Sequence, residues 1–280
     1  LQLDIDPPTL GTLTIQGKLA FDNSRDKSTL SAEKILVIGG TLQAGTKNQP
    51  FDKIAVINLV GKKSSLLRVT GGDIELIGKP RNSRTRLAKT VQSGTIEIQV
   101  QGDISQWTKG DQVLISPSRQ NPSEYDLRTI QSIQSDTNII TLDLPLDFFH
   151  YGSDSAYDTE TSLGEIDMRA EVLLITRNIR FQGATNSKTL IQTSRNIDLE
   201  YTSFNFCSSK VVETPVLGLT SISTQGNTIK GNVCTNCLGW GVKFTQTENI
   251  NFTENIIYNV QEFGLIIGEN NNGLNIENNS

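Results

Sequence analysis

A step of 23 residues runs through the second half of this chain and leaves it few ways to fold. Trp240-Gly241-Val242-Lys243-Phe244 aligns with Phe263-Gly264-Leu265-Ile266-Ile267, and Asn249 with Asn272, both 23 residues apart. Asn205-Phe206-Cys207 returns as Asn232-Val233-Cys234, then more weakly as Asn255-Ile256-Ile257 and Asn278-Asn279-Ser280. The asparagines Asn205, Asn232, Asn255 and Asn278 are thus spaced by 27, 23 and 23 residues. A repeat of this length suits one coil of a right-handed parallel β-helix. Each coil lays short strands on the coil beneath, about 4.8 Å away, so that equivalent residues stack into ladders. Asparagine suits a turn in such a stack, because it tolerates left-handed dihedrals and its amide bonds to the like amide above and below. The four extra residues of the first interval are expected to bulge out around Lys210 to Pro215.

The rest of the chain agrees with an all-β fold. Helical periodicity is nearly absent, while β-branched runs alternate apolar and polar residues, as at Ile35-Val37, Ile54-Val56, Ile74-Leu76 and Val113-Ile115. Glycines such as Gly39-Gly40 and Gly71-Gly72 punctuate these runs where a sheet turns sharply. At 280 residues the chain is large enough for a sizeable core. Its one histidine, His150, excludes a His-based zinc triad and limits any Ser-His scheme to that residue. The net charge of −5 and the absence of an aromatic-interleaved basic motif argue against nucleic acid as a partner. No apolar run is long enough to span a membrane and the N-terminus lacks a leader pattern, so any membrane anchor is expected outside this segment.

Two charged regions invite a functional reading. Between Asp147 and Glu171 lie Asp154, Asp158, Glu160, Glu165 and Asp167, balanced only by Arg169. Such a loop offers carboxylate oxygens to calcium, the one cofactor the sequence suggests. It also offers paired carboxylates for polysaccharide cleavage, for which His150, Asp154, Asp158, Glu165 and Asp167 are the candidate catalytic residues. The spacing is not that of a dedicated calcium loop, and acidic loops of this kind are more often simply solvated. The basic stretch Lys79, Arg81, Arg84, Arg86 and Lys89 would grip carboxylates or sulfates of an anionic glycan if its side chains share a face. The alternative is a solvated loop whose arginines pair with Asp or Glu on adjacent coils.

The three cysteines bear on compartment. Cys207 and Cys234 hold the same place in successive repeats, so stacking about 4.8 Å apart puts them within bridging range. Cys237 competes for Cys234, although three residues of extended strand separate their Cα atoms by about 10 Å unless a corner intervenes. Asn251-Phe252-Thr253 is an N-glycosylation acceptor, ranked above Asn278-Asn279-Ser280. A disulfide and a glycan together point outside the cell.

Leu10-Gly11-Thr12-Leu13-Thr14-Ile15-Gln16-Gly17-Lys18-Leu19, the run Ile35 to Thr46, and Gln49-Pro50-Phe51 occur in an order that resembles the G8 domain. The resemblance continues through Thr85-Arg86-Leu87, Trp107 with Gly110-Asp111, Glu124 with Arg128, Leu146 with His150, and Glu171-Val172 leading into Arg177-Asn178-Ile179. G8 domains are glycine-rich all-β modules of extracellular regions in fibrocystin-like proteins and in hyaluronan-degrading cell-surface proteins, followed by parallel β-helix repeats. Ile77 and Arg84 depart from the pattern, at places where family members often carry histidine and an aromatic residue. The departure at Ile77 turns the reading toward the fibrocystin-like, non-enzymatic branch. The resemblance implies a G8 module over 1–125, then a connecting β segment and β-helix repeats over 126–280, clearest from 196, within a longer ectodomain. It implies a structural, adhesive or glycan-binding role at the cell surface, with end-to-end stacking as a route to self-association. A hyaluronan-like polysaccharide depolymerase is the alternative.

Overall fold

The computed structural model describes residues 1–61, 64–153, 167–184, 188–193, 196–206, 215–220, 226–237 and 239–280. Every regular element among them is a strand. The chain packs as two compact units, one made of residues 1–80 and 177–280, the other of residues 81–176.

The first unit is a parallel β-helix with three strand-bearing faces. On one face Lys18–Phe21, Thr41–Ala44, Asp73–Ile77, Ile197–Glu200, Asn227–Lys230, Glu248–Thr253 and Asn272–Glu277 follow one another in parallel register. A second face stacks Ile54–Leu59, Ile179–Gly183, Thr202–Asn205, Val233–Cys237 and Ile256–Val260. The third stacks Ser64–Thr70, Lys188–Thr193, Pro215–Thr220, Trp240–Thr245 and Leu265–Ile267. The long strand Lys27–Ile38 serves both of these faces, pairing Ile54–Leu59 with its first half and Ser64–Thr70 with its second. Residues on either side of the second unit therefore build one continuous stack, and the N-terminal segment is itself made of coils.

Alternation along each strand sends every second side chain inward, and the parallel register turns these into columns. One column runs Leu30, Ile57, Phe181, Phe204, Cys234, Ile257. In it Phe181 and Phe204 stack with ring centroids 5.1 Å apart. Each fully buried aliphatic or aromatic side chain adds about 1.5–3 kcal/mol of transfer free energy, so Leu30, Ile57, Phe181 and Phe204 support neighbouring coils together. Glycine is required where coils approach closely. A Cβ on Gly40 would lie 2.3 Å from the Gly17 carbonyl oxygen, and one on Gly72 would lie 2.3 Å from that of Gly40.

The observed register corrects the spacing read from sequence. Steps along the column are 23, 30 and 23 residues from Phe181 to Phe204, Cys234 and Ile257, so the long coil carries seven extra residues rather than four. Asn205 consequently stacks on Thr235, not on Asn232. On the first face the last step is 24, which sets Asn249 over Gly273 instead of Asn272. The asparagine ladder that forms is Asn232, Asn255 and Asn279. Asn255 Oδ1 accepts from the Asn232 backbone N–H and from Asn232 Nδ2, both at 3.0 Å, and Asn279 Oδ1 accepts from Asn255 in the same way at 2.9 and 3.0 Å. Asn278 instead occupies a corner with φ 54°. Asn205 belongs to a second polar file, donating to Gln182 Oε1 and accepting from Thr235 and Asn236.

Corners stack as well. Tyr201, Gly231, Glu254 and Asn278 all have positive φ one residue before the ladder position. Phe206, Asn236 and Asn259 form a second such file, and Gly226, Asn249 and Gly273 a third. Left-handed residues recur because every coil must turn at the same places.

The second unit is antiparallel. Its strands run in the order Glu97–Gln99, Ile139–Leu142, Asp126–Gln134, Gln112–Ile115, Glu171–Leu174, Arg84–Arg86. The two outer strands meet through a Leu87–Val100 bridge, with Ala88 N–H donating to Gln99 O and Gln101 N–H to Arg86 O, so the sheet closes on itself as a six-stranded barrel. Its core holds Leu87, Ile98, Val100, Trp107, Val113, Ile115, Ile130, Ile140, Val172 and Leu174. Residue 125, the expected end of a first module, lies inside this barrel, just before a strand that pairs with Gln112–Ile115 along four residues. Compactness divides the chain after residues 80 and 176 because hydrogen bonds close the barrel between those points.

Candidate functional site

Of the residues to which the sequence assigned chemistry, the barrel holds Arg81, Arg84, Arg86, Lys89, His150 and Asp167. Pairing of Arg84–Arg86 with Glu171–Leu174 puts Arg86 opposite Glu171. Arg86 Nη2 lies 3.3 Å from Glu171 Oε1, its Nε lies 3.1 Å from Asp167 Oδ2, and Arg84 Nη1 is 3.7 Å from the same glutamate. Arg81 makes a two-pronged pair with Asp111, whose other contacts are the Thr108 N–H and hydroxyl. The stretch from Lys79 to Lys89 is thus divided. Its three guanidiniums are held by carboxylates, while the ammonium-bearing Lys79 and Lys89 are exposed. Lys79 falls in the β-helix and Lys89 in the barrel.

Asp167 takes a two-pronged contact from Arg169, Nε at 2.8 Å and Nη2 at 2.6 Å. That hydrogen bonding, with the nearby Arg86 charge and against a desolvation cost, holds its carboxyl down at about 2. Arg169 is raised in turn by the same bond. A carboxylate so held is an ion-pair partner and not a proton donor near neutrality. Asp154, Asp158, Glu160 and Glu165 lie outside the described residues, and with them the acidic loop's calcium reading.

His150 is wholly buried. Its Nε2 is 2.8 Å from Asp126 Oδ2 and its Nδ1 is 2.9 Å from the Ser116 carbonyl, so each ring nitrogen that carries a proton has an acceptor. Asp126, also wholly buried, accepts from the N–H groups of Asp147 and Phe148 and pairs with Arg128 Nη2 at 2.6 Å. Arg128 reaches on to Asp147 and to the Pro145 carbonyl. The cluster pins the 145–150 segment to the strand beginning at Asp126. Asp126 was missed from the sequence, although Arg128 and His150 both belong to the resemblance pattern. A wholly enclosed imidazole touches no substrate, and its geometry is that of an internal tie.

On the β-helix, Asn251 faces outward and is exposed in Glu248–Thr253 between Thr228 and Asn275 of adjacent coils. Nearby, Lys230 pairs with Glu254 at 3.3 Å, and its ammonium is raised first by the neighbouring Tyr201. Burial pushes the Glu200 carboxyl up. Cys207 lies outside the described residues. The register puts Phe204 over Cys234, and the sulfur found near Cys234 is that of Cys237, at 3.2 Å.

Residues 1–88 match the family model of the G8 domain. The chain is 36% identical over 198 residues to mouse Fibrocystin-L, covering 66% of this chain and 4% of that protein. It is 28% identical over 211 residues to dog Fibrocystin, covering 69% of this chain and 5% of the relative. The chain thus spans about a twentieth of the length of these relatives. Among solved structures it is similar to the Gp54 tailspike of Acinetobacter baumannii bacteriophage AP22 in complex with capsular saccharide, with TM-score 0.31, 13% identity, and coverage of 92% of this chain and 42% of that one.

Proposed function

From the premise that a chain carrying a G8 domain shares the setting of the fibrocystins it resembles, we propose that this segment is an extracellular structural or adhesive module of a larger surface protein. The single observation that carries the reading is the fate of the charges. The guanidiniums of the basic stretch are taken up by Asp111, Asp167 and Glu171, and His150 is spent inside the barrel on Asp126. Groups committed to internal ties hold the fold, and the outward faces of the coils, with an N-glycan at Asn251, meet the surroundings. A glycan-gripping site on the basic stretch would need those arginines released, at the cost of their carboxylate partners.

Retention on immobilised hyaluronan and heparin under rising salt tests this reading. Elution at low salt, unchanged in the Lys79→Ala/Lys89→Ala variant, is expected. Salt-resistant retention that this variant loses would establish an anionic-glycan receptor instead. Shortening of size-defined hyaluronan by the full-length protein, with or without calcium, would establish the depolymerase.

A further inference from the structure

Cys234 and Cys237 face each other inside the β-helix. Both are buried thiols, with Sγ atoms 3.2 Å apart, and the Cys237 thiol also lies 3.2 Å from the Thr235 carbonyl. Extended strand would hold them well apart. Asn236 removes that separation, because its φ of 54° turns the chain between them. This corner belongs to a stacked file, with Phe206 and Asn259 also left-handed, so the two sulfurs are brought together by the coil itself. A disulfide needs the sulfurs at about 2.05 Å, a movement of roughly an ångström from the observed contact.

We propose that Cys234 and Cys237 are a disulfide site that locks this corner of the coil, and that Cys207 is not the partner of Cys234. The oxidant is a low-molecular-weight disulfide or an oxidoreductase disulfide of the secretory route. One thiolate attacks it and releases a first thiol. The second thiolate then attacks the mixed disulfide and releases another. Two cysteine thiols thus become one S–S bond while the oxidant's S–S bond becomes two thiols. The occurrence of this oxidation in the cell rests on the extracellular reading above; the capacity of the pair to close does not.

Trypsin separates the question cleanly. Gly231 to Lys243 carries Cys234 and Cys237 alone, and Asn196 to Lys210 carries Cys207. The protein is made two ways: secreted and trapped with an alkylating agent in denaturant, and purified in reduced form, then equilibrated with oxidised and reduced glutathione before trapping. In both arms the first peptide is expected two hydrogens lighter than its dithiol and unalkylated, also in Cys207→Ser. Closure with glutathione but alkylation of both cysteines in secreted protein supports the pair and overturns the oxidising setting. Alkylation of both in the two arms, or a cross-link between the two peptides, overturns the proposal.

Discussion

The two units solve the same problem, closing a sheet, in opposite ways. The β-helix closes by winding, so its strands are parallel, its partners lie a coil away, and like residues fall over like. Its repeated interior polar groups are amides such as Asn232 and Asn255, each satisfying the next, beside a buried guanidinium, that of Arg177, which donates to the Gly231 carbonyl. The barrel closes by joining its outer strands at Leu87 and Val100, and its pins are charged. Asp126, Arg128 and His150 are buried together, and Arg81 with Asp111 nearly so. Repetition distributes stabilisation over many equal contacts, whereas the barrel concentrates it in a few unlike ones.

The chain's two tryptophans, Trp240 in the coils and Trp107 in the barrel, let that contrast be tested unit by unit in urea. The largest effect is expected for Asp126→Ala, which leaves Arg128 and His150 buried without their partner. The Trp107 transition should fall by about 3–5 kcal/mol, and an equal fall at Trp240 would break the contrast. Asn255→Ala strips acceptor and donor from Asn232 and from the Ile229 carbonyl, so the Trp240 transition should drop by about 3 kcal/mol. Gly40→Ala drives a methyl into the Gly17 carbonyl and should cost the coils about 2 kcal/mol, with Trp107 unmoved. The smallest effect concerns Asp167. Its carboxyl titrates at about 2 when folded against 3.8 ordinarily, so its contribution is present above pH 4 and is lost as pH falls toward 2. Barrel stability should decline by about 1 kcal/mol across that window, and Arg169→Ala should shrink the decline, leaving only what the Arg86 charge and the residue 169 backbone N–H sustain.

Sequence legibility followed the same division. The 23-residue step between Val242-Lys243-Phe244 and Leu265-Ile266-Ile267 is the observed register, since repetition writes itself into sequence. Which asparagines stack was not legible. Seven inserted residues in one coil and one in another shift the file to Asn279 and away from Asn205, and abundant asparagine hides the slip. The barrel left no period to find, because antiparallel partners such as Ile98 and Ile140 need share nothing but their depth. The arginine pairings depend on which acid the closing strands bring opposite; ion pairing was expected, but with acids on adjacent coils, whereas Asp111, Asp167 and Glu171 belong to the barrel itself.

The filed left-handed corners decide how such a molecule can change in length. A residue gained within a rung would throw each following side chain to the opposite wall, turning inside into outside. A residue gained at a bend leaves the walls as they are. Insertions and deletions are therefore filtered by position, and kindred chains should vary in length at the bends while keeping their rungs constant.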